Sequence, residues 1–189
     1  MTFGEYQRET SKEWVKYLST IKINSKNEDR IKQFYTHFYH SLIHPNIVSD
    51  VNGEYMGADF KVHKTKENRE QYSSFSVWDT YRTQGQLIAM LFPKKSSDMM
   101  QSLVDFAEQA GGYGRWILAN IETGIMQGDP TPILISNSYA FGGDDFDLET
   151  AYRYMKKGAL IPRLYSQKQE VRPYLEEYIN NGHTFASMS

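Results

Sequence analysis

Ile31-Lys32-Gln33-Phe34-Tyr35-Thr36-His37-Phe38-Tyr39-His40-Ser41-Leu42 carries apolar side chains at 31, 34, 35, 38, 39 and 42. That i, i+3, i+4, i+7 stripe belongs to a helix that buries one face. Ser25, followed three residues later by Glu28, predicts a capping box at its start, and Pro45 predicts its end. Upstream, Trp14, Tyr17, Leu18 and Ile21 repeat the spacing and predict a helix over 10–20.

Downstream the pattern returns. A helix is expected over 76–93 through Trp78, Tyr81, Leu87, Ile88 and Leu91, ended by Pro93. Ser96 or Ser97 is the expected cap of the next, with Met100, Leu103, Val104 and Ala107 as its buried stripe and Gly111-Gly112 as its stop. Pro132 opens a helix that runs to Phe141. Asp147 caps another through Leu148, Ala151, Tyr152 and Met155, closing at Gly158. An extended stretch then leads to Pro173, which opens a last short helix carrying Tyr174, Leu175, Tyr178 and Ile179 and ended by Gly182; residues 183–189 belong to no element. Between Ile47 and Tyr72 the period changes, and Asn52-Gly53 predicts the turn of a small β-hairpin over 49–62, because both central positions of such a turn need positive φ. The expected fold is all-α, built from antiparallel helix pairs of the kind that make toroids, with this one β excursion.

Twenty-one Lys and Arg against 23 Asp and Glu leave a net charge of -2, so the chain lacks the basic footprint of a nucleic-acid or polybasic membrane binder. No run of about 18 apolar residues offers a membrane span, and residues 1–16 lack the apolar core of an export signal. The absence of cysteine excludes disulfides, thiolate metal sites and a cysteine nucleophile, but it does not identify a compartment. His40 and His44 have metal-capable spacing, yet no third ligand accompanies them, so they are read as surface or hydrogen-bonded histidines. Asp144, Asp145 and Asp147 lack the glycine and closing glutamate of a calcium loop and are assigned to turns and caps.

Two stretches carry more chemistry than packing requires. Ser74-Phe75-Ser76-Val77-Trp78-Asp79-Thr80-Tyr81-Arg82 combines an indole, a carboxylate, a phenol and a guanidinium at an expected helix start, which suits a sugar: its C–H face stacks on the indole and its hydroxyls take ionic partners. The competing reading makes Trp78 and Tyr81 core and Asp79 a helix cap. The second stretch, 111–132, gathers five glycines with Tyr113, Trp116, Asn120, Glu122 and Asp129 and reads as a second site wall, Glu122 and Asp129 being its candidate binding residues.

Four ordered segments, Phe34-Tyr35-Thr36-His37-Phe38-Tyr39-His40-Ser41-Leu42-Ile43-His44-Pro45, Ser49-Asp50-Val51-Asn52-Gly53-Glu54-Tyr55, Phe75-Ser76-Val77-Trp78-Asp79-Thr80-Tyr81-Arg82 and Met126-Gln127-Gly128-Asp129, resemble motifs of glycoside hydrolase family 92. Those are calcium-dependent, exo-acting α-mannosidases. The similarity extends through Ala140-Phe141-Gly142 to Asp147 and through Glu170-Val171-Arg172-Pro173, Tyr178 and Gly182; Ser136-Asn137-Ser138 departs from the more usual Ala-Asp-Ala.

The resemblance implies an N-terminal part of an (α/α)6-toroid catalytic domain, without the β-sandwich domain that precedes it in the family. It implies that Trp78 and Asp79, with Arg82 beside them, hold the terminal mannose of a glycan in the −1 subsite. Hydrolysis in the family is inverting, with a glutamic acid as proton donor, an aspartate that activates water, and calcium that helps distort the sugar. On this reading the acid, the base and the calcium ligands lie downstream of Ser189, so no catalytic or metal residue is assigned within the chain, and the open helix faces need the rest of the polypeptide or self-association. The alternatives are a mannose-binding helical protein without catalysis, or a decayed remnant; a trehalase-like hydrolase or a polysaccharide lyase on a similar toroid fits the ordered motifs less well.

Overall fold

The computed structural model describes residues 2–66, 68–126, 128–164 and 170–184, and divides the chain into two compact units, residues 1–44 and 45–189. Among the described residues, eight helices are joined by three short antiparallel strand pairs.

The first unit is a pair of helices, α1 (Phe3–Leu18) and α2 (Glu28–Ser41). α1 starts seven residues before the expected span of 10–20, because the Glu5 carboxylate reaches back to the Thr2 N–H at 2.6 Å and Glu9–Lys12 and Glu13–Lys16 pair along its polar turns. In α2 the cap is Asn27, whose side chain accepts from the Arg30 N–H at 3.1 Å, and not Ser25, whose hydroxyl accepts from Asn27 N–H instead. Trp14 meets Tyr39 edge to face at 4.5 Å, and the Tyr35 hydroxyl donates to the Ile21 carbonyl at 3.0 Å, closing the pair. His37, His40 and His44 are exposed, as their reading had it.

The second unit is organised on α5 (Pro93–Ala110), which buries Met100, Leu103, Val104, Phe106 and Ala107 against Phe75, Val77, Tyr113, Leu134, Ile135 and Ala151. Each fully buried aliphatic or aromatic side chain there is worth roughly 1.5–3 kcal/mol. Pro93 occupies the first turn of α5, so Ser96 and Ser97 sit inside the helix and do not cap it. Their hydroxyls reach neighbouring segments: Ser96 to Ser138 at 2.6 Å, and Ser97 from the Asp145 N–H at 3.1 Å. Asp98, 2% exposed, accepts from Arg69 and Lys94 on the same helix face. Gly111, at φ 81°, ends the helix as its position predicts.

The hairpin lies at 54–64, not 49–62. β2 (Glu54–Met56) pairs with β3 (Val62–Lys64) across the 57–61 connection, while Asn52-Gly53 forms the turn that leads into it, with Gly53 N–H donating to the Asp50 carbonyl at 2.9 Å. β1 (Asn46–Ile47) pairs with β4 (Tyr72–Ser73), which frames the excursion.

The expected helix over 76–93 is two, α3 (Val77–Thr80) and α4 (Gln84–Leu91), broken where Thr83 takes φ 59°. The 111–132 stretch contains a hairpin of its own, β5 (Ile117–Leu118) with β6 (Ile121–Glu122). α6 (Thr131–Ala140) and α7 (Leu148–Leu160) follow; α7 runs through Gly158, and Asp147 caps it by accepting from Thr150 N–H at 3.0 Å. α8 (Leu175–Asn181) ends at Gly182, φ 75°. The extended stretch expected before Pro173 falls partly on 165–169, and the terminal stretch mostly on 185–189, which lie outside the described residues. Ile133, Tyr139, Tyr152, Ile161 and Tyr178 are exposed on α6 to α8 and the segment between them. Among the described residues no helix is long and apolar enough to cross a membrane.

Replacing Asp147 with alanine removes a helix cap and lowers stability by about 1 kcal/mol in urea unfolding with an unchanged slope. The Thr150 N–H holds the Asp147 carboxyl below its ordinary value of 3.8. A depressed carboxyl stabilises the fold above that ordinary value, so the advantage of the wild type over Asp147→Ala is full at neutral pH and shrinks as pH falls below about 3.8.

Candidate functional site

Trp78 stands on the one-turn helix α3. Its neighbour Val77 is fully buried and donates its N–H to the Arg115 carbonyl at 3.0 Å, while Ile117 N–H donates to the Phe75 carbonyl at 3.0 Å. The segment is thus stitched to the strand behind it, and the next side chain is turned outward: Trp78 is 38% exposed. After Tyr81 the chain leaves helical geometry, and at Thr83 it enters the left-handed region, which a β-branched residue rarely adopts.

Arg82, the residue before that break, lies over the aromatic rings. Its guanidinium carbon lies 5.7 Å from the Trp78 ring centre and 5.0 Å from that of Tyr81, and its Nε donates to the Tyr81 hydroxyl at 2.7 Å. Asp79 is exposed beside the indole, and among the described residues no hydrogen bond reaches its carboxylate. The structure therefore brings Trp78, Tyr81 and Arg82 together with Asp79 adjacent, through a turn and not along one helix face.

Glu122 lies elsewhere. It is buried on β6, where its two oxygens accept the N–H groups of Arg115 (2.6 Å), Trp116 (3.1 Å) and Gly124 (2.8 Å). Burial raises its carboxyl above 4.5, against the pull of these three amides and of the Arg115 charge. Asp129 accepts from Arg172 through Nε at 3.1 Å and Nη2 at 2.9 Å, and its side chain is 9% exposed. It borders a cavity of about 180 Å³ with Tyr113, Tyr154, Lys157 and Arg163. Among the described residues no hydrogen bond or ion pair joins Glu122 or Asp129 to Trp78, Asp79 or Arg82. Gln127, inside the motif that precedes Asp129, lies outside the described residues.

The residue that sequence reasoning missed is Arg115. Only 1% exposed, it donates from Nε to the Ile125 carbonyl (2.9 Å), from Nη1 to that of Gly128 (3.1 Å) and from Nη2 to that of Gly124 (3.0 Å). A signal was present: apolar pairs at 117–118 and 121 flank Ala119-Asn120 as two hairpin strands do, which would put Glu122 back beside residues 115 and 116.

Two wider clefts, of about 460 and 820 Å³, lie beside the 54–64 hairpin. Their walls hold Arg69, Lys94, Lys95, Glu70 and Asp98, which already pair among themselves, and neither is lined by Trp78, Asp79 or Arg82. Among the described residues no three His, Asp or Glu side chains converge on one point, so this stretch does not fit a calcium site.

Glu122→Gln turns an amide NH2 toward backbone N–H donors and lowers stability by about 1–3 kcal/mol in thermal or urea unfolding. Because the folded carboxyl is raised, its contribution is greatest below 4.5 and declines as pH rises through the folded value. The gap between wild type and Glu122→Gln therefore narrows between acid and neutral pH.

A family model described as the glycosyl hydrolase family 92 catalytic domain matches residues 1–188. A comparison with curated proteins finds no match. Among solved structures, the family GH92 α-mannosidase BT3965 from Bacteroides thetaiotaomicron is 26% identical with a TM-score of 0.82, over 94% of this chain and 23% of that one. That enzyme has also been solved in complex with mannoimidazole. The inverting mannosidase BT2199 of the same organism shares the fold, with a TM-score of 0.81 at 22% identity over 93% of this chain and 24% of that one. The family GH92 glycosyl hydrolase ccman5 is 28% identical with a TM-score of 0.66, over 82% of this chain and 21% of that one. The chain spans about a quarter of the length of these structures. With the family's catalytic-domain model matched almost end to end, the chain belongs to glycosyl hydrolase family 92.

Proposed function

We propose that this chain forms the sugar-holding part of an inverting α-mannosidase domain, contributing one wall of the subsite that binds a terminal α-mannose of a glycan. The observation that carries the reading is the exposed Trp78 indole with the Asp79 carboxylate beside it and Arg82 above it, in a family whose solved members include α-mannosidases. An indole face stacks on the C–H face of a pyranose, and a carboxylate free of competing partners accepts two neighbouring hydroxyls, which together fix a sugar's orientation. Asp129 and, less directly, Glu122 support the opposite wall.

In this proposal the proton donor, the water-activating carboxylate and calcium belong to the rest of the domain, where calcium would help distort the sugar ring. The described residues of this chain bind and orient. The same rest of the domain would complete an (α/α)6 toroid and cover the exposed apolar side chains of α6 to α8.

Titration of mannose into the purified chain, followed by calorimetry, tests the subsite. Trp78→Ala and Asp79→Asn each weaken binding at least tenfold, which is about 1.4 kcal/mol, with the fold intact by circular dichroism; equal affinity in both variants overturns the assignment. The chain by itself gives no turnover of an aryl α-mannoside with calcium present. Measured hydrolysis by purified material would place the acid and base within these residues and sink the division of labour.

A further inference from the structure

We propose that Arg115 is a positioning residue that holds the two walls of the sugar site in register, its backbone carbonyl fixing the turn that presents Trp78 and Asp79 and its guanidinium fixing the loop that leads to Asp129. The proposal rests on the sugar-site reading above.

Three observations carry it. First, Arg115 touches both walls at once. Its carbonyl accepts the Val77 N–H at 3.0 Å, one residue before Trp78, and the Ser76–Trp116 bridge continues the same seam. Its guanidinium donates to carbonyls 124, 125 and 128 at 2.9 to 3.1 Å, the last of them one residue before Asp129. Second, the loop would not keep this shape unaided. Gly124, Met126 and Gly128 all take positive φ, and the carbonyls of 124, 125 and 128 converge on one guanidinium; converging buried carbonyls need a multidentate donor. The planar fork of arginine supplies such donors in fixed directions; lysine supplies a single point charge.

Third, the arginine is itself held. Glu122 accepts its backbone N–H, and the same carboxylate accepts from Trp116 and Gly124, so the two residues clamp both ends of the connecting hairpin. A buried ion with its hydrogen bonds filled is a rigid reference point, the kind of support that keeps a binding constellation within a few tenths of an ångström.

The test is amide hydrogen exchange on the full chain, wild type against Arg115→Lys and Arg115→Met, with Arg69→Met as a control that removes another arginine, one paired with the buried Asp98. A positioning role predicts that protection falls at least tenfold at Val77, Thr123 and Gly124 while the Leu103 and Val104 amides of α5 keep theirs. The Arg69 variant leaves the first three unchanged. Mannose affinity falls at least tenfold in Arg115→Lys. Loss of protection spread evenly over the core, or none at Val77, overturns the proposal.

If the wild-type chain takes up no mannose, the sugar-site reading fails while the exchange pattern still decides what Arg115 holds. Should Arg115→Met not fold, Arg115→Lys carries the comparison, since it keeps the charge beside Glu122 and removes only the fork.

Discussion

A guanidinium with 1% of its surface exposed is the constraint on which this part of the molecule depends. Removing such a charge from water costs several kcal/mol unless its donors and its charge are both answered. Here the donors are answered by three carbonyls of a glycine-rich loop, while Glu122 holds the Arg115 backbone N–H, and each contact shapes the chain around it. The loop turns the carbonyls of 124, 125 and 128 toward the guanidinium. The glutamate must come back beside its partner, so residues 117–122 fold as a hairpin. Trp116, between the two, keeps its backbone in the seam that supports Trp78.

α5 does for the second unit what apolar pairing does for the first. It is buried along both its apolar and its serine faces, and the serines allow neighbours to come close. A Cβ on Gly143 would lie 2.5 Å from the Ser138 hydroxyl oxygen and 2.6 Å from that of Ser96, so the approach there is set by small side chains in contact. Ser102 accepts from Tyr72 N–H and donates to the Asp98 carbonyl, which ties β4 to the helix by a side chain that a larger residue could not replace. The strand ahead of Trp78 is thereby anchored to the core from the other side.

The sequence made the helices legible wherever one face is apolar and the other wet, because that asymmetry has a period. α2, α7 and the body of α5 follow it, and Asp147, Gly111 and Gly182 mark ends where sequence chemistry leaves few alternatives. The failures share a cause: a polar residue was read as facing water when tertiary contacts had claimed it. Ser96 and Ser97 look like caps until Ser138 and Asp145 take their hydroxyls. Glu122 was expected to face a ligand, and three backbone amides already take its oxygens. Asn52-Gly53 does turn the chain, but with positive φ at Gly53 alone and ahead of the hairpin, not at its tip. The break at Thr83 could not be read, since a β-branched residue does not favour positive φ; there the Gln84 N–H donates to the Arg82 carbonyl at 2.7 Å across an exposed Thr83. Trp78, Asp79 and Arg82 were expected along one helix; the structure keeps Arg82 near Trp78 but places it beyond the end of α3, in a turn.

That folded-back turn has a stereochemical consequence. An indole has two faces, and Arg82 lies over one of them, at 5.7 Å. On the proposed sugar-site reading, a flat-sided ligand arriving at Trp78 finds that face taken by the guanidinium and the Asp79 carboxylate on the neighbouring residue. One covered face and one polar flank make a chiral surface, which on that reading would tell a ring from its mirror image.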